Sequence, residues 1–348
     1  MVRRVSLPVA IARLSRVQTS AAEIMLWVAF AWVAGWHEWW IVTLFGIVGA
    51  LQHAAGFSDN NVANRIFDQG EDEYGHKRAH QPLKNPIVTG DISLRNAKLV
   101  VIILTISTVG LFIYLDGLAG WRVLPLVFLL GYAVCGWTYN RVKQWPKIPS
   151  HLLMGTSYFC GAMAVLSTGN PGLLFLPLGV WAGYGLAMTD NIVAGDGKDI
   201  EDLHEPNLLR DLGARVEGGT LRYSKKAAGL VYGLGLGRAL SLMWVGYTIY
   251  PMDPTHGTLW FYGVFLSGVV AMFYVLHRMV ATQPWDRVRH MRWVGILEVG
   301  WSVTLVLTLS PLLGWALSLF VILAPLAVFW GSNKIVWNSE TTLWAGKV

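Results

Sequence analysis

Charge is what this sequence has least of. Of its 348 residues, 14% are Asp, Glu, Lys or Arg, against about 25% in a typical soluble domain. That deficit excludes an ordinary soluble core and points to lipid as the solvent. Cysteine is scarce too. Cys135 and Cys160 both lie in apolar segments, which excludes a disulfide framework and a thiolate metal centre. No low-complexity tract occurs. No basic stripe marks a polar face, so nucleic acid is not an expected partner. The basic start, "MVRRVSLPVAIARLSRVQTS", has no small-residue cleavage site after an apolar run. Residues 1–20 therefore read as a cytoplasmic lead-in rather than a signal peptide.

What is abundant is apolar. Hydrophobic residues make up 54% of the chain, and 18 of them are Trp, a residue that gathers at membrane interfaces. A helical span needs roughly 20 apolar residues. Candidates fall at about 21–36, 39–66, 96–116, 119–139, 150–168, 172–194, 225–250, 257–280 and 292–310, with a tenth at 312–331 after the break at Ser310–Pro311. The expected fold class is all-α: a polytopic membrane bundle of nine or ten transmembrane helices around a central cavity. It forms a single domain over 21–335, followed by a tail over 336–348.

The connections alternate in character. The N-terminus and 69–98, 140–148, 197–226 and 278–293 are basic. "GWHEWW", "DGLAG", "STGNPG" and "YPMDPTHGT" are short and nearly free of Lys and Arg. The positive-inside rule makes the first set cytoplasmic. The expectation is a multi-pass protein of a bacterial plasma membrane with its long loops in the cytoplasm.

Two of those loops, 69–95 and 190–224, are long and rich in acids and bases. Loops longer than about 12–15 residues are usually functional or disordered. The first follows Asn64, Asp68 and Asp72, spaced i, i+4, i+8, which aligns three oxygen-bearing side chains on one helical stripe. Such a stripe suits a hard cation such as Mg²⁺, which takes one or two carboxylates and keeps its other positions for water or phosphate oxygens. Arg65, Lys77, Arg78 and Lys84 nearby can hold a polyanion that the metal also touches. A helix that merely turns polar on entering water would scatter its acids, as Glu71 and Glu73 do. That plainer account does not predict the matched spacing.

The second loop carries Asp196, Asp199 and Asp202, with Asp190 before them and Lys198 between. A continuing helix puts Asp199 and Asp202 on one face. Gly195 and Gly197 weaken a helix by about 1 kcal/mol each, so a loop geometry stays open, as does the choice of ligands. Two acidic clusters on one membrane side can hold two cations around one diphosphate.

Together these residues resemble the UbiA superfamily of intramembrane prenyltransferases. Asn64-x-x-x-Asp68-x-x-x-Asp72, within "NRIFDQGED", looks like the family's N-x-x-x-D-x-x-x-D. "KNPIVTGDIS" is similar to the element that closes the family's first loop. "YNRVKQWPKIPSHLLMG" looks like its tyrosine-and-lysine segment, with Tyr139 and Lys143 at the positions that contact the prenyl diphosphate. "KDIED", Lys198 to Asp202, resembles the second motif. The chain departs from the family in having Asn64-Arg65 or Asn60-Asn61 where Asn-Asp is common, and Glu205-Pro206 where a third acid is usual.

The resemblance implies Mg²⁺-dependent ionisation of an allylic isoprenoid diphosphate, with transfer of the prenyl group to an aromatic or lipid acceptor. Asp68, Asp72, Asp199 and Asp202 would be catalytic. Asn64, Asp68, Asp72, Asp196, Asp199 and Asp202 would hold metal. Arg65, Lys84, Tyr139, Arg141, Lys143 and Lys198 would hold the diphosphate. The alternative is a terpene cyclase of the same type, in which the substrate's own double bond captures the cation. A transporter or scaffold is the third reading, disfavoured because transporter sites tend to lie at the bilayer midplane. No protein partner is expected. His53 reads as a hydrogen-bonding group rather than a ligand. Glu298 reads equally as a substrate contact or a structural residue, and Arg238 and Glu23 as possible mutual partners without a spacing argument.

Overall fold

The computed structural model describes residues 5–17, 20–67, 85–142, 147–201, 206–250 and 256–337. Each apolar segment of the sequence is helical. A short helix, α1 (Leu7–Leu14), precedes α2 (Ala21–Val33), α3 (Trp39–Phe67), α4 (Leu94–Leu118), α5 (Val123–Arg141) and α6 (Lys147–Ser167). Then come α7 (Gly172–Asp196), the single turn α8 (Leu208–Asp211), α9 (Lys225–Ile249), α10 (His256–Val280) and α11 (Arg287–Trp337).

Among the described residues, seven helices are long and apolar enough to cross a membrane: α3, α4, α5, α7, α9, α10 and α11. The chain is a multi-pass membrane protein. At 13 residues, α2 is short, and the start of α6 is polar. The two last expected segments form one 51-residue element whose arms meet at Gly314, where the backbone leaves helical geometry. The outer face of α4 shows why lipid suits this surface: Leu99, Ile103 and Ile106 are all exposed. Trp39, Trp121, Trp137 and Trp330 are exposed near helix ends, as an interfacial belt requires.

Neighbouring helices pack in sequence, α3 on α4, α5 on α6, α6 on α7, α9 on α10 and α10 on α11, while α2 contacts both α3 and α11. One core cluster runs through both halves, including Trp27, Phe45, Phe112, Leu178, Trp181, Trp301 and Leu309. A smaller cluster of Ala10, Leu14, Val62, Ile92 and Ala97 lies under α1. There Asn61 donates to the Leu14 carbonyl at 2.6 Å and Arg13 approaches Asp91 at 3.8 Å.

The all-α expectation needs one correction. Strands β1 (Arg215–Glu217), β2 (Thr220–Arg222) and β3 (Gln283–Pro284) form a small antiparallel sheet in the order β1-β2-β3. The signal was in "RVEGGTLR". Gly218 and Gly219 have φ of 55° and 73°, the positive pair that a two-residue type I′ hairpin demands. The sheet lies in connections between helices, so it leaves the bundle unchanged.

Candidate functional site

The last turns of α3 and α5 are tied by a polar clamp. Arg141 donates twice to Asp59, Nη1 to Oδ2 at 2.8 Å and Nη2 to Oδ1 at 3.0 Å. Its guanidinium also lies 4.0 Å from the Trp137 ring centre, a favourable cation–π position. Asn140 donates to Asp59 at 2.8 Å and accepts from Asn60 at 3.0 Å. Sequence reasoning missed Asp59 and Asn140 because neither stands in an acidic cluster; each is polar only by contrast with the apolar run around it.

One residue away, Tyr139 reaches the opposite half of the molecule. Its hydroxyl donates to Asn191 Oδ1 on α7 at 3.0 Å. Asn191 Nδ2 donates to His151 Nδ1 at 2.8 Å, and His151 Nε2 meets Asp196 Oδ2 at 3.2 Å. With Nδ1 accepting, the ring proton belongs on Nε2, directed at Asp196. This chain of side chains joins α5, α6 and the end of α7. His151 lies within the quoted tyrosine-and-lysine segment but is not singled out there, nor is Asn191 beside Asp190, and the fold reveals their role.

The lower part of α7 is wound as π turns over Trp181–Ala187 and Asp190–Asp196, a rare geometry that is frequent at functional sites. It resolves the question of the glycines: the helical path continues through Gly195 and Gly197. A Cβ on Gly197 would come within 2.6 Å of His290 Nε2, so close packing requires glycine there. Asp199 lies in a turn just past the last helical residues, so its three-residue spacing from Asp196 does not make a simple helical stripe.

Asp196 is buried and committed. Besides His151, it accepts from the Leu208 N–H at 2.8 Å, and its carbonyl accepts from Asn207 Nδ2 at 2.7 Å. It anchors the chain where it turns back after α7. Burial, and then the charge of Asp196, pushes the Tyr223 phenol above its ordinary range. Asp199 accepts from Arg287 Nη2 at 2.8 Å and pairs with Lys198, whose Nζ also reaches the Gly195 carbonyl at 3.3 Å. Asp190 is exposed and interacts electrostatically with Glu298, Arg238, Lys198 and Tyr158.

Asn64 is buried and Arg65 half-buried in the last turn of α3. Asp68, Asp72, Lys84, Lys143 and Asp202 lie outside the described residues. Among the described residues, no group of three or more His, Cys, Asp or Glu side chains is arranged to hold a metal. The described part of the arrangement thus brings Tyr139, Asp196 and the end of α7 together, sets Lys198 and Asp199 beside them, and pairs Arg141 with Asp59.

Deeper in the bundle are two further charged groups. Arg238 pairs with Glu298 by two hydrogen bonds of 2.8 Å. Glu23 is not its partner, as the sequence left open. Glu23 instead accepts from Tyr158 at 2.5 Å and faces His53 Nδ1 at 3.1 Å. His53 does serve as a hydrogen-bonding group, its Nε2 meeting the Arg16 carbonyl at 3.2 Å.

No protein-family model and no curated protein matches the sequence. Solved structures do match. The fold is similar to that of a UbiA homologue from Archaeoglobus fulgidus bound to GPP and Mg²⁺, with a TM-score of 0.60 and 17% identity over 90% of this chain and 99% of that one. The same homologue bound to DMAPP and Mg²⁺ gives a TM-score of 0.61 at 17% identity, over 90% and 98% of the two chains. Its Cd²⁺-bound form gives 0.55 at 15% identity, over 85% and 99%. At such identities the likeness is one of fold.

Proposed function

We propose that this chain is a UbiA-type membrane enzyme that ionises an allylic prenyl diphosphate and transfers the prenyl group to an acceptor. The reading rests on the Tyr139–Asn191 link, which joins the end of α5, clamped to α3, with the end of α7, in a fold shared with a protein solved with prenyl diphosphates and Mg²⁺. The donors fit a hard divalent cation. Asn64 at the end of α3, the two acids that follow it, Asp199 and Asp202 offer oxygen only, the ligand type Mg²⁺ takes. Cys135 and Cys160, the soft alternatives, are on α5 and α6. Asp196 acts in this reading as a positioning residue, since its carboxylate already serves His151 and Leu208.

Mg²⁺ would neutralise the diphosphate and stabilise the charge that develops as the C–O bond breaks. The chain's own cations complete that task. Lys198 lies beside Asp199 on the α7 side, Arg65 stands in the last turn of α3, and Lys84 and Lys143 would add positive charge. Tyr139 can donate to a phosphoryl oxygen in place of Asn191. Arg141 holds Asp59 and shapes the rim instead of standing free. Apolar walls keep water from the allylic cation until the acceptor attacks. Cytoplasmic loops in a bacterial plasma membrane with nine or ten spans complete the proposal.

A cyclase is the second reading, favoured by the aromatic lining of the cavity between α3 and α6, where Phe57, Tyr132, Trp137 and Tyr158 gather and can stabilise a cation by their ring faces. Purified protein incubated with Mg²⁺ and geranyl, farnesyl or geranylgeranyl diphosphate separates the two. A prenylated product that appears only with a phenolic acceptor supports transfer. A hydrocarbon or terpene alcohol without acceptor supports cyclisation. No release of diphosphate under either condition overturns both.

A further inference from the structure

Between α3, α4, α5 and α6 lies a cavity of about 530 Å³, inside the roughly 300–1,000 Å³ range of small-molecule sites. Most of its wall is apolar, with Val62, Val101, Ile102, Val109 and Leu129 among the lining residues. One end carries the Asp59–Arg141 clamp. The other end is made by Glu23, Gln52, His53, Tyr132 and Tyr158, and no sequence motif covers it.

At that inner end Tyr132 hydrogen-bonds with Gln52, yet two acceptor atoms beside it are left over. Glu23 and Gln52 are 6% and 4% exposed. Tyr158 and His53 both approach Glu23 through Oε1. Glu23 Oε2 and Gln52 Oε1 are buried and, among the described residues, have no hydrogen-bond partner. Buried acceptors are nearly always satisfied, because leaving one unpaired forfeits its hydration without return. What is missing is therefore a donor, and the cavity is the direction from which one can come. An ammonium group would have to shed its hydration along apolar walls, which is far more costly than for a neutral hydroxyl. An adjoining void of about 20 Å³, also lined by Glu23 and Gln52, has room for about one water.

We propose that the inner end of this cavity binds the hydroxyl group of an apolar alcohol or phenol. Glu23 Oε2 and Gln52 Oε1 accept from the hydroxyl, and the carbon skeleton lies along the α3–α5 wall. The same chemistry describes a phenolic ring and an isoprenoid alcohol. Binding here requires neither Mg²⁺ nor a diphosphate, so this site and the proposed reaction stand or fall separately.

The test is calorimetric titration of the purified full chain in detergent with two matched pairs: nonylphenol against nonylanisole, and farnesol against farnesyl methyl ether. In each pair only the first member can donate. The hydroxylated member of at least one pair should bind about tenfold more tightly than its ether. The pair that discriminates more identifies the source, phenol or isoprenoid alcohol. Gln52→Leu and Glu23→Gln should each reduce the advantage several-fold and leave ether affinity unchanged. Ala133→Phe, which fills the cavity wall, should weaken both members together. Equal affinity of hydroxyl and ether in both pairs for the unaltered protein would mean that water satisfies these acceptors, and the proposal would be wrong. So would an advantage that survives both acceptor substitutions.

Discussion

Arg238 of α9 and Glu298 of α11 are joined side by side, each of the two terminal guanidinium nitrogens 2.8 Å from one carboxylate oxygen. Arg238 is fully buried, and its guanidinium carbon stands 5.6 Å from the ring centres of both Trp181 and Trp301. The Arg238 charge, which lipid would reject, is thereby held near two Trp rings and paired with Glu298 in a planar, bidentate contact that Lys could not reproduce. The pair fastens α9 to α11 beside Asp190.

Removing one member should be much worse than removing both. Arg238→Leu strands the Glu298 carboxylate and should cost about 3–5 kcal/mol, whereas the double variant with Glu298→Leu should recover most of that loss. Thermal unfolding in detergent reads both. A double variant no more stable than the single would mean that the Trp contacts, not the ion pair, hold Arg238.

Tyr139→Phe deletes one hydroxyl and leaves Asn191 Oδ1 without the donor it has at 3.0 Å. The expected stability loss is about 1 kcal/mol, too small to unfold the bundle. If Tyr139 also meets the diphosphate, kcat/KM should fall roughly tenfold, the equivalent of about 1.4 kcal/mol. Steady-state kinetics with unchanged kcat/KM would reduce Tyr139 to a structural tie.

The sequence made the helices legible because lipid imposes long apolar runs, and every such run is helical. It made the acidic ends of two helices legible because charge is conspicuous in such a chain. Partnership was not legible. Tyr139, Asn191, His151 and Asp196 are spread over 58 positions from 139 to 196 and meet only because α5, α6 and α7 pack together. Nor did spacing reveal that Asp196 spends its carboxylate on Leu208 and His151, since those partners come from 12 and 45 positions away. The hairpin of β1 and β2 was missed for another reason: its Gly-Gly signal stood in a loop read only for its acids.

Asp68→Asn and Asp72→Asn test the metal assignment on the first cluster. Each keeps the side-chain shape and removes the charge a hard cation needs. Turnover should drop beyond the roughly 10–100-fold that even outer-shell changes cause at metal sites. The variants should still extract and elute as folded protein. Full activity in both would remove these acids from the site.

Metal and diphosphate should protect the protein only together. Asp199 is already paired with Lys198 and Arg287, and Asp196 is occupied by His151 and the Leu208 amide, so Mg²⁺ alone has few unpaired charges to relieve on the α7 side. A prenyl diphosphate brings the missing negative charge and gives the cation oxygens to bridge. At about 100 times its Kd, a ligand that binds only the folded state stabilises it by about 2.7 kcal/mol. Thermal unfolding should therefore shift upward with geranylgeranyl diphosphate plus Mg²⁺, little with Mg²⁺ alone, and little with diphosphate plus EDTA. Equal protection with EDTA present would show that the diphosphate is held by Lys and Arg without a metal, and the oxygen stripe from Asn64 to Asp72 would lose its assigned role.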